Sequence, residues 1–306
     1  MRLAKLLALA AILIGLASYA AQAPHAAQGP AQDAPSLHTD QVRIVELPPT
    51  EAKHRPLYEA LRRRGILEEL RTLHAALRLP RPLTLELKGC DGKVDAYYDN
   101  AVATHCYEYV ELIQQHGPKV GTPGGLTPAD AMVGAVVDTY LHEVGHAIFD
   151  MLDIPVLGRE EDAADFFSAY TMAQFAPDDA RRLIQGIGFM MASEAKAALA
   201  RPPMLKTFAS EHGLPAQRYY NLLCVAYGSN PAIFSNAVAV GSLPQERADS
   251  CVGEYRTLHR AYRKLIAPYV DEARLREARA KVDFNWGRLI SSTSGLDAPP
   301  LLQVER

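Results

Sequence analysis

The run from Thr127 to Leu152 constrains this chain more than any other segment. Thr127-Pro128-Ala129-Asp130 combines a capping hydroxyl, a proline already held at helical φ and an acidic residue in the first turn, which together mark a helix start. Beyond it, Val136, Val137, Leu141, Val144, Ile148 and Leu152 leave little polar surface. The spacing predicts one helix from Pro128 to about Leu152, followed by a short loop bounded by Pro155 and Gly158. A helix this apolar is packed on several sides, so the rest of the chain has to build around it.

What precedes that helix reads as a small mixed sheet with helical crossovers. Val42 to Leu47 is an expected strand, ended by Pro48-Pro49. Thr50 can cap a helix running to about Leu77, with Leu57, Leu61, Leu70, Leu73 and Leu77 on one stripe. Leu83 to Leu87 alternates as a strand does, and Val94 to Tyr98 and Thr104 to Leu112 are the next extended segments. A Gly/Pro-rich connector, 117–125, leads to the long helix. After it the pattern is helical: Glu160 to about Phe175, then near 178–199, 214–227, 245–266 and 270–280. The expected fold class is α+β, predominantly helical. One domain covers 41–290, with a sheet-containing part (41–125) and a helical part (126–290). Residues 24–40, rich in Ala, Gln and Pro, read as a flexible leader, and 291–306 as a loose tail.

The first 23 residues read as an export signal. Arg2 and Lys5 precede the apolar run Leu6 to Leu16, and Ala21-Gln22-Ala23 is a cleavage-site pattern that would leave Pro24 first. The alternative, an uncleaved anchor, needs about 20 apolar residues, and this run is shorter. No later stretch suits a membrane span, so the expected location is periplasmic or secreted. Four cysteines suit an oxidising compartment. Three pairings are formally open; locality favours Cys90 with Cys106 and Cys224 with Cys251. With 32 basic against 35 acidic residues and a net charge of −3, nothing points to a nucleic-acid partner.

The chemistry concentrates in His142-Glu143-Val144-Gly145-His146. Histidines four apart share a helical face and can reach one ion, while Glu143, rotated by about 100°, can take a proton from water beside that ion without ligating it. Two imidazoles leave room for one more protein ligand and a water, the open arrangement of catalytic zinc. The next helix begins Glu160-Glu161-Asp162, with Asp165 one turn after Glu161. Glu161 as the third ligand of one Zn²⁺ ion, and Asp165 accepting a ring N–H from His142 or His146, complete the set. Glu160 is the competing ligand, and acidic residues at a helix N-terminus are favoured by the macrodipole in any case. Asp138 and Asp150, one turn outside the histidine pair, could each back a histidine but read rather as exposed or structural, and carry no assigned role.

These residues resemble the zincin metallopeptidases, in particular the gluzincin branch with its H-E-x-x-H pattern followed by a helix bearing E-x-x-x-D. The run from His142 to Asp165 is similar to a bacterial family of proposed metallopeptidases of otherwise unknown function. Tyr97-Tyr98-Asp99, Cys106-Tyr107-Glu108, Tyr219-Tyr220-Asn221 with Cys224, Tyr227-Gly228, Arg247 to Cys251 and Glu254-Tyr255 extend the likeness over roughly 41–290. The resemblance implies a zincin-like fold, one zinc ion, and hydrolysis of a peptide or protein substrate. Tyr170, His212, Tyr219, Tyr220 and Tyr227 are candidates to stabilise the oxyanion. Thr104 to Leu112 is either an edge strand for an extended peptide or an ordinary sheet strand. Two rival readings remain open at this point: a catalytically silent zinc-bound protein that binds peptides or envelope components, and a disulfide-stapled helical interaction domain without metal.

Overall fold

The computed structural model describes residues 36–116, 126–202 and 204–284. The expected signal segment, most of the leader, the connector 117–125 and the tail from 291 lie outside the described residues. The fold is α+β and predominantly helical, with one small mixed sheet.

That sheet holds β1 (Val42–Glu46), β2 (Leu83–Lys88), β3 (Ala96–Asp99) and β4 (Val102–Cys106). Across it the order is β1-β2-β4-β3, with β1, β2 and β4 parallel and β3 antiparallel to β4. Leu83, Leu85 and Leu87 are buried, while Thr84, Glu86 and Lys88 between them are only partly covered, as the alternation predicts. Two helices, α1 (Arg55–Arg64) and α2 (Ile66–His74), cross from β1 to β2. They replace the single helix expected up to Leu77. Gly65 adopts φ 71°, and its N–H closes onto the carbonyls of Leu61 and Arg62, ending α1. Chain packing begins before residue 41: His38 exchanges two backbone hydrogen bonds with Leu79.

The segment Thr104 to Leu112 departs from expectation in two ways. Its strand stops at Cys106, and α3 (Tyr107–His116) follows at once. Tyr107, Val110 and Ile113 are buried at helical spacing, and Glu108 in the first turn accepts the N–H groups of Cys90 and Gly92. The strand portion, β4, is also interior to the sheet; the edge beside the helical half is β3.

The helical part comprises α4 (Pro128–Met151), α5 (Glu160–Met172), α6 (Pro177–Leu199), α7 (Leu205–Phe208), α8 (Pro215–Ser229), α9 (Pro231–Ala239), α10 (Gln245–Leu265) and α11 (Glu272–Lys281). Sequence patterning missed α7 and α9; the latter opens with Asn230 Oδ1 accepting the Ile233 N–H, a cap followed directly by Pro231. The expected start of α4 is present. Asp130 N–H donates to Thr127 Oγ1 at 3.1 Å and Thr127 N–H to Asp130 Oδ2 at 3.0 Å. As its composition requires, α4 is covered by α3, α5 and α6 and by β3 and β4. Disulfides link Cys90 to Cys106, and Cys224 on α8 to Cys251 on α10. Two disulfides suggest a non-cytoplasmic, oxidising compartment. Among the described residues, no helix is long and apolar enough to cross a membrane.

Candidate metal centre

His142 and His146 share one face of α4, and the first two turns of α5 lie against that face. Gly145 permits the approach. A Cβ there would stand 3.3 Å from Ala164 Cα and 3.2 Å from Phe167 Cδ1, so any larger residue pushes α5 away. The close crossing carries Glu160, Glu161 and Asp165 to the histidines.

Three donor atoms converge on one point. His142 Nε2 lies 3.0 Å from Glu161 Oε2, His146 Nε2 lies 3.2 Å from His142 Nε2, and His146 Nε2 lies 3.5 Å from Glu161 Oε2. Ligand atoms at zinc bond lengths in a tetrahedral arrangement stand about 3.3 Å apart. The outward nitrogens are held as zinc ligands require. His142 Nδ1 is 2.9 Å from Asp165 Oδ1, and His146 Nδ1 is 2.7 Å from Glu160 Oε1. A ring N–H donated to each carboxylate leaves both Nε2 lone pairs aimed inward. Two lone pairs and a carboxylate oxygen at this spacing suit a cation between them. The competition between Glu160 and Glu161 follows from helix geometry: adjacent residues diverge by about 100°. Glu161 therefore faces the Nε2 atoms, and Glu160 reaches round to the far side of His146.

The same carboxylates also attract a proton to the imidazoles, which a metal ion at this point would displace. Burial disfavours the charged form of His142, yet hydrogen bonds to Asp165 and Glu161 outweigh it and push its pKa up to about 10. The same contacts, led by His142, hold Glu161 well below the usual carboxylate range. Burial would raise Asp165, but Arg218 and then His142 bring it down to about 2. Arg218, on α8, grips Asp165 through Nε to Oδ2 at 2.7 Å and Nη2 to Oδ1 at 2.8 Å. Sequence reasoning gave no role to Arg218, because a lone arginine in the first turn of a helix carries no local signal. Of the two alternatives for Asp138, exposed or structural, it fits the second: it is buried, with Ser168 Oγ–H donating to its Oδ1 at 2.6 Å. Asp150 stays at the surface, where the Tyr98 hydroxyl donates to it at 2.6 Å.

The donors open into a cleft of about 640 Å³, lined in part by Glu143, Asp95, Tyr97, Arg159, Glu211 and His212. Glu143 is only 5% exposed, and burial raises its pKa against the opposing pull of His142 and His146. Of the five oxyanion candidates, His212 alone lines the cleft, with Nε2 2.8 Å from Glu161 Oε2. Tyr170 instead bonds His259 Nδ1 at 2.8 Å and stacks on Tyr255, Tyr219 is buried, Tyr227 packs against the core, and Tyr220 faces a neighbouring pocket. His142, Glu161 and His212 have donor atoms within 4.8 Å of one another, so His212 is a further potential ligand; a second trio, Glu51, His54 and Glu108, also lies within 4.8 Å. Its groups are already engaged: Glu108 accepts backbone N–H groups, and His54 bonds Glu111 at 2.9 Å.

Residues 47–266 match the family described as "Putative metallopeptidase". The chain belongs to that family. For a metallopeptidase family member, the donors gathered around His142 are a fitting place for the implied metal, and the description suggests peptide hydrolysis. No curated protein and no solved structure matches the chain.

Proposed function

We propose that this family member is an exported, zinc-dependent peptidase of the zincin type, with one ion held by His142, His146 and Glu161. The observation that carries the reading is the convergence of two Nε2 atoms and one carboxylate oxygen at separations of 3.0, 3.2 and 3.5 Å, each imidazole being backed by its own carboxylate. When bound, zinc would polarise a scissile carbonyl and lower the pKa of water toward about 7.

The chain's own groups supply the remaining chemistry. Glu143 is buried at the cleft floor, and burial makes its carboxylate a better base than one in water. It takes the proton of the attacking water and returns it to the leaving amine. His212, half-exposed at the cleft, donates to the oxyanion that develops on the scissile carbonyl. The rim is edge strand β3, where Asp95 to Tyr98 line the cleft and an extended peptide can add as a further strand. Two disulfides and the N-terminal signal pattern support an exported setting.

A broad peptide library treated with wild type and with Glu143→Gln tests the reading. Wild type is expected to cleave, to stop with a chelator and to resume on zinc addition. The variant is expected to retain zinc and lose about 10²- to 10⁴-fold in rate. Equal cleavage by both would remove Glu143 from the mechanism. A library that survives wild type while zinc stays bound would favour the silent, peptide-binding alternative.

A further inference from the structure

Beside the metal cleft lies a second cavity of about 380 Å³ that the proposed chemistry does not use. Three elements build it: Arg159 and Asp162 at the start of α5, Gln217, Tyr220 and Asn221 on α8, and Pro244 and Arg247 at the start of α10. Arg159 lines both cavities, so the two adjoin. Tyr220, Asn221 and Arg247 all belong to sequence motifs without a part in the metal centre. The Cys224–Cys251 disulfide pins their helices together, each cysteine four residues after Tyr220 or Arg247.

The pocket's side chains offer more donors than acceptors. Arg159 pairs with Asp162 through Nε at 2.9 Å and Nη2 at 2.6 Å. Arg247 holds Glu254 through Nη1 at 2.6 Å and Nη2 at 2.8 Å. Among the described residues, Arg159 Nη1, Arg247 Nε, the Asn221 amide and the Tyr220 hydroxyl have no partner. Guanidinium N–H groups and an amide N–H₂ next to a peptide cleft call for acceptors; peptide carbonyls and carboxylates both accept, and the carboxylate makes the stronger, charge-assisted bond to a guanidinium.

We infer that this second pocket is a subsite for a substrate carboxylate, so that the peptidase prefers peptides with an acidic side chain or a free C-terminus to one side of the scissile bond. The inference rests on the proposed peptidase reading. Direct binding separates the two. Fluorescent peptides of one length, differing only by Glu or Gln at a single scanned position, or by an acid or amide C-terminus, are titrated onto the zinc-loaded full chain carrying Glu143→Gln.

At one position, or at the C-terminus, the carboxylate peptide is expected to bind about tenfold tighter than its amide twin. The Glu/Gln and acid/amide arms tell which carboxylate is read. Adding Arg247→Gln or, separately, Asn221→Ala should bring the ratio close to one. Asn221→Ala removes no side-chain hydrogen bond within the protein, so it serves even where Arg247→Gln loosens α10. Equal binding of every pair would overturn the subsite, as would a preference that survives both substitutions. Cleavage by wild type without acid preference sinks the subsite alone. Acid preference without cleavage by wild type sinks the hydrolase reading and leaves the subsite standing.

Discussion

His142 and His146 direct their Nδ1 atoms to different carboxylates, and only one of those carboxylates is itself clamped. Asp165 Oδ1 receives both His142 Nδ1–H and Arg218 Nη2–H, so the arginine fork sets the carboxylate plane that sets the imidazole. Arg218→Met is expected to weaken zinc binding by about 10- to 100-fold in competition with a chromophoric chelator. Arg218→Lys, which keeps the charge and loses the fork, should fall in between. An unchanged affinity for both would deny Arg218 any hold on the metal centre. Two other histidines titrate for a different reason. Burial holds His74 down at about 4 and His105 at about 3, whereas a ring in the unfolded chain takes its proton near 6.5. Between those values the unfolded chain binds more protons than the folded one. Stability is therefore complete above pH 6.5 and is lost as pH falls toward 4. For His74 the loss is about 3 kcal/mol. Urea unfolding across this range should show a flatter pH slope in His74→Leu than in wild type; identical slopes would contradict it.

Among the elements, α4 and α6 cross in close backbone contact. A Cβ on Gly186 would collide with the Asp130 carbonyl oxygen, and one on Gly134 with the Leu183 carbonyl. The helices therefore touch backbone to backbone, and Gly186→Ala is expected to destabilise the fold by about 1–3 kcal/mol in denaturant unfolding. A neutral result would mean that α4 and α6 can separate freely. What sequence could and could not read follows the same division between local and tertiary. The capped start of α4, the four-residue spacing of His142 and His146 and the Glu161–Asp165 repeat are helical periodicities, legible without a partner. The close crossing at Gly145 and Ala164 is not. Neither are the turn of Glu160 onto the far nitrogen of His146, the Arg218 clamp, or the place of His212 at the cleft, because each depends on which helix packs where. Thr104 to Leu112 misled because Thr104, Tyr107, Tyr109 and Val110 are strand-favouring residue types, while the turn at Cys90–Gly92 supplies N–H donors that fix Glu108 in a helical first turn.

Across the whole molecule, the sheet and the helical half contribute opposite walls of one cleft: β3 on one side, α4, α5 and the segment before α8 on the other. The adjoining second pocket has a wall made by α8 and α10, pinned by Cys224–Cys251, which closes a loop with a sequence separation of 27. Replacing both cysteines by alanine should lower unfolding free energy by about 3 kcal/mol, read as a drop in Tm, since the unfolded chain regains that loop entropy. An unchanged Tm would show that packing of α8 on α10 holds that wall unaided.

The central claim concerns one ion and three atoms, and anomalous diffraction from zinc-loaded crystals addresses it most directly. Data collected above and below the zinc absorption edge should give a single strong peak at about 2.0–2.2 Å from His142 Nε2, His146 Nε2 and one Glu161 oxygen. A peak among Glu51, His54 and Glu108 instead, or none between the two α4 histidines, would contradict the account.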